Sequence, residues 1–335
     1  MVTMRDVSRA AGVSSATVSR VLTGSAEVDP ATRQRVLDAV RQLDYRPNLV
    51  ARGLRRQVSQ VLALVVTDIE NPFYTAVCRG VEDAARLKGY SVILCNADRD
   101  IDKEREYLRV VADQNASGVV ISPASAQNTD IGALVARGIP VVAVDMPLEQ
   151  AAGSVLVDNR AAAAMATRHL LAGGARRIAC ITGPSDNATA SDRLDGYMRA
   201  LHEAGRPVDP ELAIYSNYRE SGGYEATNRL MDLADRPDAL LVTNNRMIVG
   251  TLRALQSRGV SIPDDVNVVS FDELPWALEL HPHLSMVRQP GYLIGQKAAE
   301  LLIERLASPT TPQHIVMEAE LIAKDGRART PSSAI

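Results

Sequence analysis

A set of polar side chains stands just after short apolar, β-branched runs of this chain: Asp68 with Asn71, then Ser122, Asp145, Thr182, Asn244 and Asp272. Carboxylates, carboxamides and hydroxyls in such company grip a ligand through paired hydrogen bonds. They suit the vicinal hydroxyls of a sugar, polyol or sugar acid, or the edge of a nucleobase. The chain has only two phenylalanines and one tryptophan, and Phe73, Phe271 and Trp276 all fall in or beside these stretches, together with Tyr74. Flat rings stack on sugar or base faces, although Phe271, at the end of an apolar run, also suits the core. A second group, Ser15, Ala16, Thr17, Ser19 and Arg20, suits another polymer altogether. An arginine donates two hydrogen bonds to guanine, an alanine methyl touches thymine, and hydroxyls reach bases or phosphates.

Both chemistries are binding, not bond-making. The chain has no GxGxxG after a strand, no GxxxxGK[ST], no HExxH and no GxSxG, and an enzyme is not expected. His281 and His283 have no cysteine or acidic partner at ligand spacing, so neither a metal nor a cofactor is expected.

The elements that must position these groups follow from the pattern. Apolar runs at 61–66, 92–95, 119–121, 141–144, 177–181, 240–243 and 266–271 alternate with helical stretches, which is the βα repeat of parallel sheets. Ligands of such sheets bind beyond the carboxyl ends of the strands, where the polar residues stand. A chain of 335 residues with 46% apolar composition suits two sheets better than one. The lobe boundary is expected near Val157 to Arg160, with a return near Val287 to Pro290.

The first sixty residues read differently. Thr3 and Asp6 form a capping-box pattern ahead of a helix over 4–11 with Val7, Ala10 and Ala11 inward, and Gly12 stops it. Ser14 caps a second helix with Val18, Val21 and Leu22 inward, and Asp29 and Pro30 start a third with Val36, Leu37, Val40 and Leu43 inward. Two short helices around a glycine turn, buttressed by a third, make a helix-turn-helix whose second helix enters the major groove. Ten arginines against five acids give residues 1–60 a net +5, and the remaining 27 basic and 35 acidic residues give the rest −8. A basic head on an acidic body implies a polyanionic partner, double-stranded DNA.

No apolar stretch approaches the roughly 18 residues of a membrane span, and MVTMRDVSRAAG lacks a signal-peptide core, so a cytoplasmic protein without membrane contact is expected. Cys78, Cys95 and Cys180 lie far apart among apolar neighbours and read as buried thiols.

The run DVSRAAGVSSATVSRVLTG followed by VDPATRQRVLDAVRQLDYRPNLVARGL resembles the amino-terminal signature of the LacI/GalR family of bacterial transcription regulators. DIENPFY, DNRAAAAMATRHL, RRIACITGP, VNVVSFDE and VRQPGYLIG extend the resemblance to about residue 325. It implies an α/β fold: an all-α helix-turn-helix head (1–46), a hinge helix and linker (47–60), a two-lobed effector-binding and dimerisation body like the type I periplasmic sugar-binding proteins (61–326), and a flexible tail (327–335). The hinge, with Asn48, Arg52 and Arg55, would fold on the operator, and Leu54 would wedge into a minor-groove base step. The resemblance carries effector contact to Arg193 and Asp272, and matches Asn244 to the family's asparagine. Arg160 near the cleft hints at an anionic ligand. Asn245, Arg246, Ala175 and Met146 depart from residues common in the family. The implied protein is a repressor, or an activator, acting as a homodimer under a small-molecule effector, and GRARTPSSAI carries no leucine heptad of the tetrameric members. A nucleobase corepressor stays open beside a sugar or sugar acid.

Overall fold

The computed structural model describes residues 2–23, 28–45, 59–274, 281–308 and 311–324. The chain divides into two compact units, residues 1–59 and 60–335.

Among the described residues, the first unit holds three helices, α1 (Met4–Ala11), α2 (Ser15–Thr23) and α3 (Pro30–Gln42). Asp6 accepts from both the backbone N–H and the hydroxyl of Thr3, at 2.9 and 2.6 Å, which fixes the start of α1. Gly12 ends that helix at φ 64°, a left-handed conformation open to a residue without Cβ. Ser14 Oγ accepts from the N–H of Thr17 at 3.1 Å, and Asp29 from that of Thr32 at 2.9 Å, so each later helix has its side-chain cap. Val7, Ala11, Val18, Val21, Val36 and Ala39 close the core. Ala10 and Leu37 were expected inside and are exposed, with Ala39 taking the place assigned to Leu37. With Val36 buried, the inward stripe of α3 continues at Ala39 and Val40, three and four residues on, and Leu37 is turned to its edge.

The second unit repeats one plan twice. Its first lobe contains β1 (Val61–Val66), α4 (Pro72–Leu87), β2 (Ser91–Asn96), α5 (Ile101–Asp113), β3 (Gly118–Ile121), α6 (Gly132–Ala136), β4 (Val141–Val144) and β5 (Gly153–Val157). The second contains α7 (Asn159–Ala172), β6 (Ile178–Thr182), α8 (Ala188–Glu203), β7 (Ala213–Tyr215), α9 (Glu220–Met231), β8 (Ala239–Val242), α10 (Asn245–Ser257), β9 (Asn267–Phe271) and β10 (Ser285–Arg288). The chain then returns as α11 (Gly291–Ala307) and β11 (Gln313–Met317) to the first lobe and ends the second sheet with β12 (Glu320–Ile322).

The sheet orders are β2-β1-β3-β4-β5-β11 and β7-β6-β8-β9-β10-β12, all parallel except β12 on β10. The central strands GVVI, VVAV, IACIT and ALLV are buried at every position, because helices cover both faces of a parallel sheet. Chain crossings fall at 157–159 and 288–291, as the sequence indicates, and again between β11 and β12. The sequence reading lacks β5, β10, β7, β11 and β12. The last three are sheet-edge strands, in which partial exposure leaves no continuous apolar run.

One helix pair, α4 with α11, sets the first lobe's geometry through backbone approach. A Cβ on Gly80 of α4 would lie 2.0 Å from the Tyr292 carbonyl oxygen, and one on Gly295 of α11 2.0 Å from that of Val77. The carboxyl end of β1, which delivers Asn71, thus stands beside a helix pair fixed at close range.

Candidate functional site

Each sheet reverses its winding between its first and third strand, β1/β3 and β6/β8, and loops beyond those carboxyl ends form the crevice of this topology. One cavity lies there, lined by both lobes, with about 400 Å³ of empty space including the part open to solvent.

The two lobes supply equivalent positions. Asp145 follows β4 and Asp272 follows β9, the fourth strand of each lobe, while Arg99 and Tyr218 stand in the loops after β2 and β7, the second strand of each. All four line the cavity, and all four are non-glycine residues with left-handed backbone, at φ 68°, 65°, 61° and 57°. Each such residue costs about 1–2 kcal/mol, which the surrounding structure must overcome to hold the side chain in place.

Three of the charged groups, Arg193, Asp272 and Asp145, are tethered by neighbours. Arg193, from α8 and only 4% exposed, donates from Nε to Asn159 Oδ1 at 2.8 Å and from Nη1 to the Thr243 carbonyl at 2.5 Å, with its guanidinium 4.4 Å from the Phe271 ring centre. Gln289 Nε2 reaches both carboxylate oxygens of Asp272 at 2.9 Å. Burial pushes the Asp272 carboxyl up to about 6 in spite of Arg193 and Gln289, which favour its charged form. Tyr74 donates its hydroxyl to Asp145 Oδ2 at 2.9 Å, and burial, then the Asp145 charge, raise the phenol above its ordinary range. The Tyr218 phenol is likewise raised by burial.

Four contacts tie the lobes together beside this cavity. Asn245 donates to Asn71 at 2.8 Å, Arg246 pairs with Glu70 at 3.0 Å, Asn187 Nδ2 points at Met146 Sδ at 3.3 Å, and Arg99 lies 4.8 Å from the Tyr218 ring centre.

Of the residues singled out in the sequence, Asn71, Phe73, Tyr74, Asp145, Arg193, Asn244 and Asp272 meet at this cavity. Asn71 and Asn244 also cap α4 and α10, so their side chains serve helix starts as well as the cavity. Others are placed elsewhere. Arg160 does not face the cavity: as a partly exposed helix-start residue it pairs with Asp192 at 2.8 Å and Asp195 at 3.4 Å. Asp68 accepts from the Glu70 N–H and holds a turn. Ser122 is fully buried behind Tyr74 and Asp145, 3.4 and 3.5 Å from their oxygens. Thr182 is spent on the Ala190 carbonyl and Thr243. Phe271 is core, supporting Arg193 from below. Trp276 lies outside the described residues.

Sequence reasoning missed Thr67, Arg99, Asn187, Thr189, Tyr218 and Gln289. Asn187 caps α8 as Asn71 caps α4, so the repeat of the lobes carried a signal for it. Tyr218 depends on Gly183, where a Cβ would lie 2.0 Å from the ring Cζ, and no local pattern shows that approach.

In the head, Ala16 and Arg20 are exposed on α2, one turn apart, with Ser15, Thr17 and Ser19 half-buried beside them. The Thr17 hydroxyl lies 2.9 Å from Ser14 Oγ, so it is engaged in the helix start. Asn48, Arg52, Leu54 and Arg55 lie outside the described residues.

A helix-turn-helix head together with a two-lobed body closed around a polar cavity defines a ligand-binding regulator of DNA. The family model "Bacterial regulatory proteins, lacI family" matches residues 3–48, and "Periplasmic binding proteins and sugar binding domain of LacI family" matches 59–325. The chain is 35% identical to HTH-type transcriptional regulator RegA of Clostridium saccharobutylicum, over 96% of this chain and 98% of that one. It is 33% identical to HTH-type transcriptional repressor PurR of Photobacterium profundum, over 97% and 98%. Among solved structures, a complex of the transcriptional regulator CelR with cellobiose is similar at 32% identity and TM-score 0.74, covering 98% of this chain and all of that one. The chain belongs to the LacI family of bacterial DNA-binding transcriptional regulators.

Proposed function

We propose that this protein is a homodimeric transcriptional repressor, not an enzyme, whose operator affinity is set by a small hydroxylated effector held between the lobes of its body. The observation that carries the reading is the convergence of Arg193 and Asp272, each buried and each tethered by neighbours, on one cavity lined by both lobes. A ligand that bridges two lobes favours the closed arrangement by its differential affinity for it, and that shift is what a regulator transmits. The similarity to a regulator solved with cellobiose supports a hydroxylated ligand.

The division of labour follows the sequence: residues 1–46 bind DNA, 47–60 form the hinge, 61–326 bind effector and dimerise, and 327–335 form a tail. Ser15, Ala16, Thr17, Ser19 and Arg20 contact the operator in the major groove, and Asn48, Arg52, Leu54 and Arg55 contact it at the hinge. Dimerisation is supported by the edge strand β2, which leaves Ile93 and Leu94 about half exposed, with Leu87 and Val110 exposed on helices of the same lobe. No helix among the described residues is long and apolar enough to cross a membrane, and we place the protein in the cytoplasm with its DNA.

A thermal-shift screen of the full chain against sugars, sugar acids, sugar phosphates and nucleobases tests the reading. A ligand of the cavity raises the melting temperature of the wild type and not of Arg193→Ala. Equal shifts in both proteins would contradict the cavity as the effector site.

A further inference from the structure

Among the described residues, the guanidinium of Arg99 is the one charged group lining the cavity without a tether. Among the described residues it makes no hydrogen bond and no ion pair, and it rests on the face of Tyr218 from the opposite lobe. Its sequence neighbour Asp98 offers it nothing, because that carboxylate is taken up by Lys103 and by Asn96 Nδ2 at 2.7 Å. Asp98 and Arg99 are both left-handed, at φ 53° and 61°, so the chain accepts two successive strained residues in the turn that delivers this arginine. The other cation of the cavity is differently placed, since Arg193 already spends Nε and Nη1 on Asn159 and Thr243. The acids are likewise occupied, Asp145 by Tyr74 and Asp272 by Gln289, and as acceptors they suit ligand hydroxyls.

We propose that Arg99 receives an anionic group of the effector, a carboxylate or phosphate carried on a hydroxylated body, and so selects an acidic sugar derivative over the neutral sugar. This rests on the cavity being the effector site and adds the ligand's charge. A planar guanidinium presents parallel N–H donors that match two oxygens of a carboxylate or phosphate. The anion also reinforces closure, because it is held by a first-lobe residue that already lies against Tyr218 of the second lobe.

The test is calorimetric titration of the full chain with matched sets: glucose, glucuronate and glucose 6-phosphate; galactose, galacturonate and galactose 6-phosphate; ribose, ribonate and ribose 5-phosphate. The carboxylate and phosphate arms separate the two sources of negative charge. A member of one anionic arm is expected to bind the wild type more tightly than its neutral parent. Arg99→Gln should weaken that anion about 30-fold while changing the neutral parent less than about threefold, and Arg99→Lys should fall between. Circular dichroism melts control for folding, which a half-buried side chain outside the core does not govern. Neutral sugars binding as tightly as their acids and phosphates, no anionic binder in the sets, or an anion unaffected by Arg99→Gln would each overturn the assignment. In the last case, loss in Arg193→Ala leaves the cavity as the effector site, whereas survival in both variants overturns that reading as well.

Discussion

Asn245 donates from Nδ2 to Asn71 Oδ1 at 2.8 Å, so the first residue of α10 in one lobe is bonded to the cap of α4 in the other. The acceptor is shared, since the same Asn71 oxygen takes the Phe73 N–H at 2.9 Å. Both side chains are almost fully buried, and Asn245 Oδ1 has no partner. One of the contacts between the lobes is therefore a buried directional bond whose polarity matters. An aspartate, common at this position in the family, would set a carboxylate against a carbonyl oxygen.

Asn245→Asp should consequently loosen the closed cleft. Replacing a buried donor by a charged acceptor costs about 1–3 kcal/mol through the unpaired groups left behind. Small-angle scattering should show a larger radius of gyration than wild type, with a lower melting temperature. Arg246→Ala at the neighbouring Glu70 pair, which is solvent-exposed on the glutamate side, should cost less than about 1 kcal/mol. Unchanged scattering and melting in Asn245→Asp would show that this bond does not hold the lobes.

Asp272 makes stability pH-dependent in a definite direction. Its carboxyl is raised from 3.8 to about 6, so between those values the folded protein binds more protons than the unfolded chain, and stability falls as pH rises. The penalty is complete above about pH 6 and amounts to about 3 kcal/mol. Asp272→Asn should melt higher than wild type at pH 7.5, with the gap closing toward pH 4, while losing effector binding. A gap that is constant with pH would remove the buried carboxylate from the account.

Gly183→Ala acts at one remove from the ligand. The added methyl would lie 2.0 Å from Cζ of Tyr218, inside any tolerable contact, and the ring must leave the cavity wall. Effector affinity should fall at least tenfold while the helix content by circular dichroism stays constant. Wild-type affinity in this variant would mean that Tyr218 does not shape the site.

Arg20→Ala and Arg55→Ala should separate base reading from electrostatics. Arg20 is exposed on α2, one turn from Ala16, so its loss should relax preference at one base position per half-site at a cost of about 1–3 kcal/mol. Arg55→Ala should weaken every sequence alike and lower the salt slope by about one. Unchanged ratios among operator variants in Arg20→Ala would contradict the assignment of α2 to the groove.

The parts legible in the sequence were those encoded locally. Caps at Thr3, Ser14 and Asp29, the glycine stop at position 12 and the wholly apolar central strands each write their structure into a few adjacent residues. The carboxyl-end rule then found Asn71, Asp145, Asn244 and Asp272 because their strands were found. Residues on loops after the weak strands were lost with those strands. Tyr218 follows the three-residue β7, and Gln289 follows β10, which read only as a crossing. Arg160 failed for the opposite reason, since proximity in sequence to the lobe boundary does not say that two acids of α8 face it.

If ligand occupancy of the cleft controls DNA affinity, operator binding must respond to the ligand. Operator duplexes are selected from random sequence by the full chain, and their affinity is measured by fluorescence anisotropy at fixed salt, with and without the ligand that stabilises the protein in the thermal screen. Saturating ligand should change operator affinity at least tenfold in the wild type, while Arg193→Ala, still folded and still bound to the operator, should show no change. Tight ligand binding that leaves wild-type operator affinity unchanged would contradict it.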